Sequence, residues 1–236
     1  MRAGIRQATL TGAVLNLRDV GESDRVIEVL TVEEGRVALY GRGARKSRKR
    51  FQGTLDLFVS LKMEVTVRPG LWTLEAADVV AARLNIRKDL GRLQRASLLT
   101  EIARAFAPEH QRAHLLLQTL VFGLDALDRG ELHRASLAYP WLLERAGIAP
   151  SAATCGRCLK REPEHVALDP NHGMLLCPSC AGSLPLVPSA VWLGRPDAAV
   201  SEVVARVLEV GVVGWVEAHL GRALKSAHAF GGGPAP

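Results

Sequence analysis

No stretch of this 236-residue chain approaches the ~20 predominantly apolar residues that cross a bilayer. The opening residues, MRAGIRQATLTGAV, lack the apolar core and cleavage site of a secretory signal, so a cytoplasmic protein is expected. Disulfides are rare in that compartment, and only four cysteines are present, which turns them towards metal ligation. Catalytic signatures are missing as well. There is no nucleophile elbow, no HExxH and no phosphate loop. Lys46 and Ser47 come nearest to the last, but Arg45 stands where a Walker loop requires glycine. No enzyme is expected from these absences. Aromatic residues are few, 5% of the chain, which limits the stacking that any surface can offer.

The most informative absence is local. From Gly35 through Leu55 there is no acidic residue, while Arg42, Arg45, Lys46, Arg48, Lys49 and Arg50 crowd into nine positions. Cations so close repel one another unless solvent or a polyanion neutralises them. A solvated hairpin loop is one reading. Gly41, Gly43 and Gly53 favour the other, because they leave the backbone exposed for close approach to a ligand. The loop then reads as a contact for backbone phosphates. The charge of the whole chain is also uneven. Net charge is +6, yet residues 1–80 hold 13 basic against 10 acidic side chains and residues 81–115 hold 7 against 3. A basic half beside a neutral one suits an anionic partner at one end, nucleic acid first. No amphipathic Lys-rich helix with bulky aromatics points to a membrane surface.

The first 80 residues read as five strands: 9–18, 24–31, 36–40, 57–67 and 71–79. The fourth alternates most cleanly, with Leu57, Val59, Leu61, Met63, Val65 and Val67 on one face. Glu33, Glu34 and Gly35 form a tight turn, and Pro69-Gly70 another. Five strands in this length suit a small closed barrel, of the oligonucleotide-binding (OB) type or SH3-like. From Ile86 the period becomes helical. Ile86, Leu90 and Leu93 share one face, and Lys88, Arg92 and Arg95 repeat the spacing on another, as a second basic stripe. Helices are expected over 110–128 and 132–146, the latter kinked or shortened by Pro140. One or two more are expected over 201–227, interrupted at Gly211 and Gly214. Trp141, Trp192 and Trp215 are expected in the core. The tail 230–236 is expected to fray.

Cys155-Gly-Arg-Cys158 and Cys177-Pro-Ser-Cys180 form two CxxC knuckles separated by 18 residues. Each turn can set two thiolates on one ion, and two turns complete a tetrahedral site. The paired spacing favours zinc over an iron–sulfur cluster. Four sulfurs fill the tetrahedron without His165 or His172 and leave no open position for water, so one structural zinc per chain is expected. The zinc deaminase pattern fails, because the required Glu is missing.

The arrangement resembles the RecO family of bacterial recombination mediators. The likeness is most specific over GRVALYGRGARKSRKRFQGTLDLFVSL, continues through Gly70-Leu71-Trp72-Thr73-Leu74 and residues 85–90, and reaches across the tetrad. The resemblance implies an α+β protein: an N-terminal five-stranded OB-fold barrel (1–80), an all-helical domain (81–150 and 184–230) with an inserted four-cysteine zinc module (151–183), and a disordered tail (231–236). It implies binding of single- and double-stranded DNA, annealing of complementary strands and, with RecR, loading of RecA onto DNA coated by single-strand-binding protein (SSB), in a nucleoid-associated protein. Carried onto this chain, Arg42, Arg45, Lys46, Arg48, Lys49, Arg50 and Arg36 fall on the DNA side of the barrel, with Lys88, Arg92 and Arg95 as the helical stripe. The tetrad falls on the zinc ligands. Tyr40, Phe51, Phe58 and Trp72 are the barrel's aromatics, few enough that stacking is expected to be secondary to phosphate contact. An RNA- or ribosome-associated zinc-ribbon protein is the competing reading.

Overall fold

Strand β1 (Arg6–Val20) is long enough to serve two neighbours. Its first half pairs antiparallel with β4 (Ser60–Arg68), and its second half pairs with β2 (Asp24–Thr31). A register shift between Val14 and Asn16 bends the strand. Gly12 faces both partners, Thr31 and Leu61, and a Cβ there would lie 2.1 Å from the Leu30 carbonyl oxygen. Only glycine allows that approach. The computed structural model describes residues 5–47, 50–51, 54–169, 172–195, 198 and 200–228. They divide into two units, one of residues 1–84 and 103–121, the other of 85–102 and 122–236.

In the first unit β2 continues to β3 (Gly35–Gly41), which runs parallel to β5 (Leu71–Ala81) at Leu39–Trp72 and Tyr40–Thr73. β5 returns antiparallel along β4, and the order β1-β2-β3-β5-β4 closes into a barrel. Inward positions alternate as pleating requires: Val37 and Leu39 are buried while Ala38 is exposed. Leu10, Val14, Ile27, Val29, Leu61, Met63, Val65 and Leu74 complete the interior, each worth about 1.5–3 kcal/mol of burial.

The run 57–67 does not form one strand. Leu57 and Phe58 turn instead, Phe58 at φ 67 with its ring buried. Arg83, itself buried, donates to the Phe58 carbonyl at 2.6 Å and to the Ser60 hydroxyl at 2.9 Å. A captured carbonyl and a left-handed residue break an alternation that the side chains alone would continue.

After the barrel strands the helical pattern starts with a 3-10 turn (Ile86–Lys88) and then breaks at Asp89, which is extended. Its carboxylate accepts the Arg92 N–H at 2.8 Å, capping α1 (Leu90–Phe106). α2 spans His114–Arg129, starting later than the expected 110. The single helix expected over 132–146 is two, α3 (Leu132–Ser136) and α4 (Ala138–Arg145). Pro140 falls in the first turn of α4, where its missing N–H breaks no helical bond. Strands β6 (His165–Asp169) and β7 (Met174–Leu176), helix α5 (Pro178–Ala181), strand β8 (Val187–Pro188) and helix α6 (Ser189–Trp192) follow. β6 lies between β7 and β8. α7 (Glu202–Leu220) runs unbroken through Gly211 and Gly214. A Cβ at Gly211 would press on Leu168 at 3.2 Å, so that glycine serves helix-to-strand packing rather than interruption. The Ser201 hydroxyl caps α7, and Glu101 caps α8 (Lys225–His228) by accepting the N–H groups of Lys225 and Ser226. Trp192 and Trp215 are buried; Trp141 is half-buried, its indole donating to the Gly194 carbonyl. The segment 230–236 lies outside the described residues. Among the described residues no helix is long and apolar enough to cross a membrane.

Candidate nucleic-acid interface and four-cysteine centre

The basic connection leaves β3 at Gly41 and is fastened to the barrel from beneath. Ala44, Phe51 and Leu55 are buried and belong to the barrel interior. Asp24 holds the start of the loop: one carboxylate oxygen accepts the Tyr40 hydroxyl, and the other accepts the Gly43 N–H at 2.8 Å and the Ser23 hydroxyl at 2.9 Å. These bonds, that from Tyr40 foremost, hold the Asp24 carboxyl down at about 2. The Arg45 N–H donates to the Ser23 carbonyl at 2.9 Å. With three apolar residues pointing in, the cations point out: Arg42, Arg45, Lys46 and Arg50 are all exposed. Arg48 and Lys49 lie outside the described residues.

The loop is not without counter-charge. Sequence reading missed the end of β1 and the turn after it, which carry the acids that the loop itself lacks. Arg45 pairs with Asp19 at 3.2 Å and donates to the Gly21 carbonyl, and Lys46 lies 3.9 Å from Glu22. Asp19 also accepts from Arg25 at 2.7 Å, a bond that lowers its pKa. Arg50 donates to the Arg42 carbonyl at 2.7 Å and sits 5.0 Å from the Phe51 ring centre. Such exposed pairs are weak and exchangeable.

The other expected cations are placed differently. Arg36 is clamped: its guanidinium donates to the Ala107 carbonyl at 3.0 Å and pairs with Glu109 at 2.9 Å. Its backbone bonds to Pro108 and His110 on the same segment. That makes Arg36 a fastener of β3. The helical stripe does not form as one face, because the break at Asp89 separates Lys88 from Arg92 and Arg95. Lys88 is exposed and bonds Asn85 at 2.8 Å; Arg92 reaches the Asp128 carbonyl at 3.3 Å. Arg95 is 14% exposed, between Glu209 at 2.6 Å and Glu202 at 2.7 Å.

The four cysteines do converge. The sulfurs of Cys155, Cys158, Cys177 and Cys180 all lie within 4.8 Å of one another, and those of Cys158 and Cys177 are 3.6 Å apart. A tetrahedral ion with metal–sulfur bonds of ~2.3 Å requires sulfurs about 3.8 Å apart. The two knuckles are held by the β6–β7 hairpin and by α5, whose N-cap is Cys177. The Gly156 N–H donates to the Leu175 carbonyl at 2.8 Å, and a Cβ at Gly156 would strike Met174 at 2.5 Å. Burial opposes ionisation of Cys155, but the N–H groups of Cys158, Cys177 and Arg157 outweigh it and bring the thiol to about 6. Cys180 is pushed up to about 12, first by the Cys158 sulfur and then by burial. One anion is thus prepared and its neighbour resists a second, which a cation would reverse. The set fits a metal ion. His165 belongs to β6, and His172 bonds Asp169 at 2.8 Å; neither is in the group.

A five-stranded barrel with a basic connection, followed by helices and a four-thiol centre, is the class of protein that fold and site define. The chain belongs to the RecO family. The model for the N-terminal part of recombination protein O matches residues 5–83, and that for the C-terminal part matches residues 87–191. The DNA repair protein RecO of Anaeromyxobacter dehalogenans is 39% identical over 237 residues, covering 92% of this chain and 93% of that one. Those of Myxococcus xanthus and Geobacter sulfurreducens are 34% and 32% identical over 170 residues, each alignment covering 71% of this chain and 70% of the relative. The resemblance read from the sequence is thereby established. Nothing in these matches favours the RNA-associated reading.

Proposed function

We propose that this protein is a DNA-binding mediator of recombinational repair. In this reading it binds single- and double-stranded DNA, anneals complementary strands and, together with RecR, helps RecA onto single strands coated by SSB. Membership of the RecO family supports the role in repair. The observation that carries the DNA contact is the exposed set Arg42, Arg45, Lys46 and Arg50 on a connection whose Ala44, Phe51 and Leu55 are buried in the barrel. Arg42, Arg45 and Lys46 flank backbone that Asp24 and Ser23 already hold, so phosphate binding does not first have to order that part. The strand order and the parallel β3–β5 contact support an OB-fold assignment. Residues 1–80 then form the DNA-binding domain, and 81–150 with 184–230 the helical one. Residues 151–183 are the zinc insertion, in which Cys155, Cys158, Cys177 and Cys180 hold one structural zinc.

Annealing needs two polyanions held together. The exposed cations lower that repulsion, and release of condensed counterions drives the binding. Nucleotide hydrolysis is not required. Purified protein should therefore accelerate annealing of complementary oligonucleotides without ATP, both bare and coated by SSB. Annealing no faster than in buffer would reject the proposal.

A further inference from the structure

Where β3 meets β5 the barrel carries a cleft of about 230 Å³, lined by Val26, Ala38, Tyr40, Leu71, Trp72 and His110. It exists because β3 changes partner. Near Arg36 the strand bridges to Glu109 on the segment after α1, whereas at Leu39 and Tyr40 it pairs with β5. Ala38 lies between the two, exposed and small, and forms the floor. Three rings surround it. Trp72 and His110 have centres 5.2 Å apart, tilted by 48°, and the Tyr40 ring is fixed by its hydroxyl on Asp24. The Arg6 guanidinium lies 5.8 Å from the Trp72 ring centre. Arg42, the first cation of the loop, comes two residues after Tyr40.

We infer that this cleft takes one unpaired nucleobase of a single strand whose phosphates lie on the basic loop. The inference rests on the DNA-binding reading above and deepens it. The volume falls below the ~300–1,000 Å³ of pockets that enclose drug-sized ligands, and suits a single planar ring system. Tyr40, His110 and the part of Trp72 left open between Arg6 and the barrel core offer surface for stacking, which tolerates any base because every base has a π face. Asp24 binds both the Tyr40 hydroxyl and the loop N–H at Gly43, so the base platform and the phosphate contacts share one anchor. A base in a duplex is stacked and paired and cannot enter without paying for extrusion. The cleft therefore confers a preference for single strands that phosphate contacts alone do not give.

The test uses the full chain and two variants. Trp72→Leu removes the main stacking face; Ala38→Leu fills the cleft from its exposed floor and leaves every aromatic in place. Binding is measured by anisotropy with an oligo-dT strand, an abasic strand of equal length and a duplex, across several salt concentrations. The wild type should bind oligo-dT at least about fivefold more tightly than the abasic strand, the lower limit for one stacked base. Both variants should lose that preference, with duplex affinity and salt slope unchanged, because stacking releases no counterions. Should Trp72→Leu fail to fold, Ala38→Leu decides. Wild-type preference for oligo-dT in Ala38→Leu would overturn the inference while sparing the DNA reading, and would assign the cleft to another occupant such as an apolar side chain of a protein. A wild type with no salt-dependent DNA binding would overturn both.

Discussion

The Tyr40 hydroxyl donates to the carboxylate of Asp24, joining the end of β3 to the start of β2 and, through Gly43, to the basic loop. The bond raises the pKa of Tyr40 and lowers that of Asp24 to about 2. A depressed carboxyl stabilises the fold fully above its unfolded value near 3.8 and loses that contribution as pH falls towards 2. The anchor is therefore constant across the neutral range. Asp24→Asn should return Tyr40 towards an ordinary phenol, while Tyr139, whose pKa burial raises, stays high. The protein has just two tyrosines, so an ultraviolet titration separates them. An unchanged lower transition in the variant would mean that the bond does not persist in solution.

Replacing Arg42, Arg45, Lys46 and Arg50 by Gln should lower the salt slope of single-strand binding by about 3, at ~0.7 per phosphate contact. The opposite change tests the acids beside them. Asp19→Asn with Glu22→Gln frees Arg45 and Lys46 from partners that compete with phosphate, and affinity should rise about two- to fivefold, the range of exposed ion pairs. Oligonucleotide titrations at three salt concentrations read both effects.

Cys155→Ser with Cys177→Ser should abolish metal binding and open residues 151–183 to protease while the barrel remains folded. Structural zinc contributes roughly 10–16 kcal/mol of apparent binding free energy, more than so short a segment gains by burial. Metal analysis and limited proteolysis provide the readout. A double variant with unaltered zinc content and digestion would remove the tetrad as the metal site.

Arg95 is held between Glu209 and Glu202. Burial raises the pKa of Glu209, and Arg95 opposes that rise. Arg95→Leu should cost about 3–5 kcal/mol at neutral pH by leaving a buried carboxylate unpaired. Because the folded-state pKa of Glu209 is then raised further, stability should recover as pH falls below it, and Glu209→Gln should restore most of the loss. Thermal melts from pH 4 to 8 with and without Glu209→Gln check the sign. DNA affinity should stay at the wild-type level throughout.

What the sequence made legible is local. β2 has the bounds expected from its apolar run, and each CxxC turn carries both of its sulfurs within four residues. The basic loop was visible because its cations crowd into nine positions. Their acidic partners were not, since Asp19 and Glu22 sit more than 20 residues away, at the end of β1 and in the turn after it. The same holds for Arg36, whose acceptors lie about 70 residues on, and for Phe58, bent by Arg83. The break at Asp89 did have a signal: an Asp three residues before a helical N–H is a common cap. The smooth spacing of Lys88, Arg92 and Arg95 concealed it. Gly211 misled for the opposite reason, since its role is set by Leu168 across the packing.

The division of β1 between two partners sets an order of events on the ribosome. Its second half meets β2 as soon as a three-residue turn has emerged, but Arg6 must wait for Val67. At about 5–20 residues per second that delay is roughly 3–12 s. From the pairing of β2 until β4 arrives, the first half of β1 is an open sheet edge able to recruit any passing strand. The charge of Arg6 marks the outer end of that edge. The nascent chain is most exposed to misassembly just before its fourth strand appears.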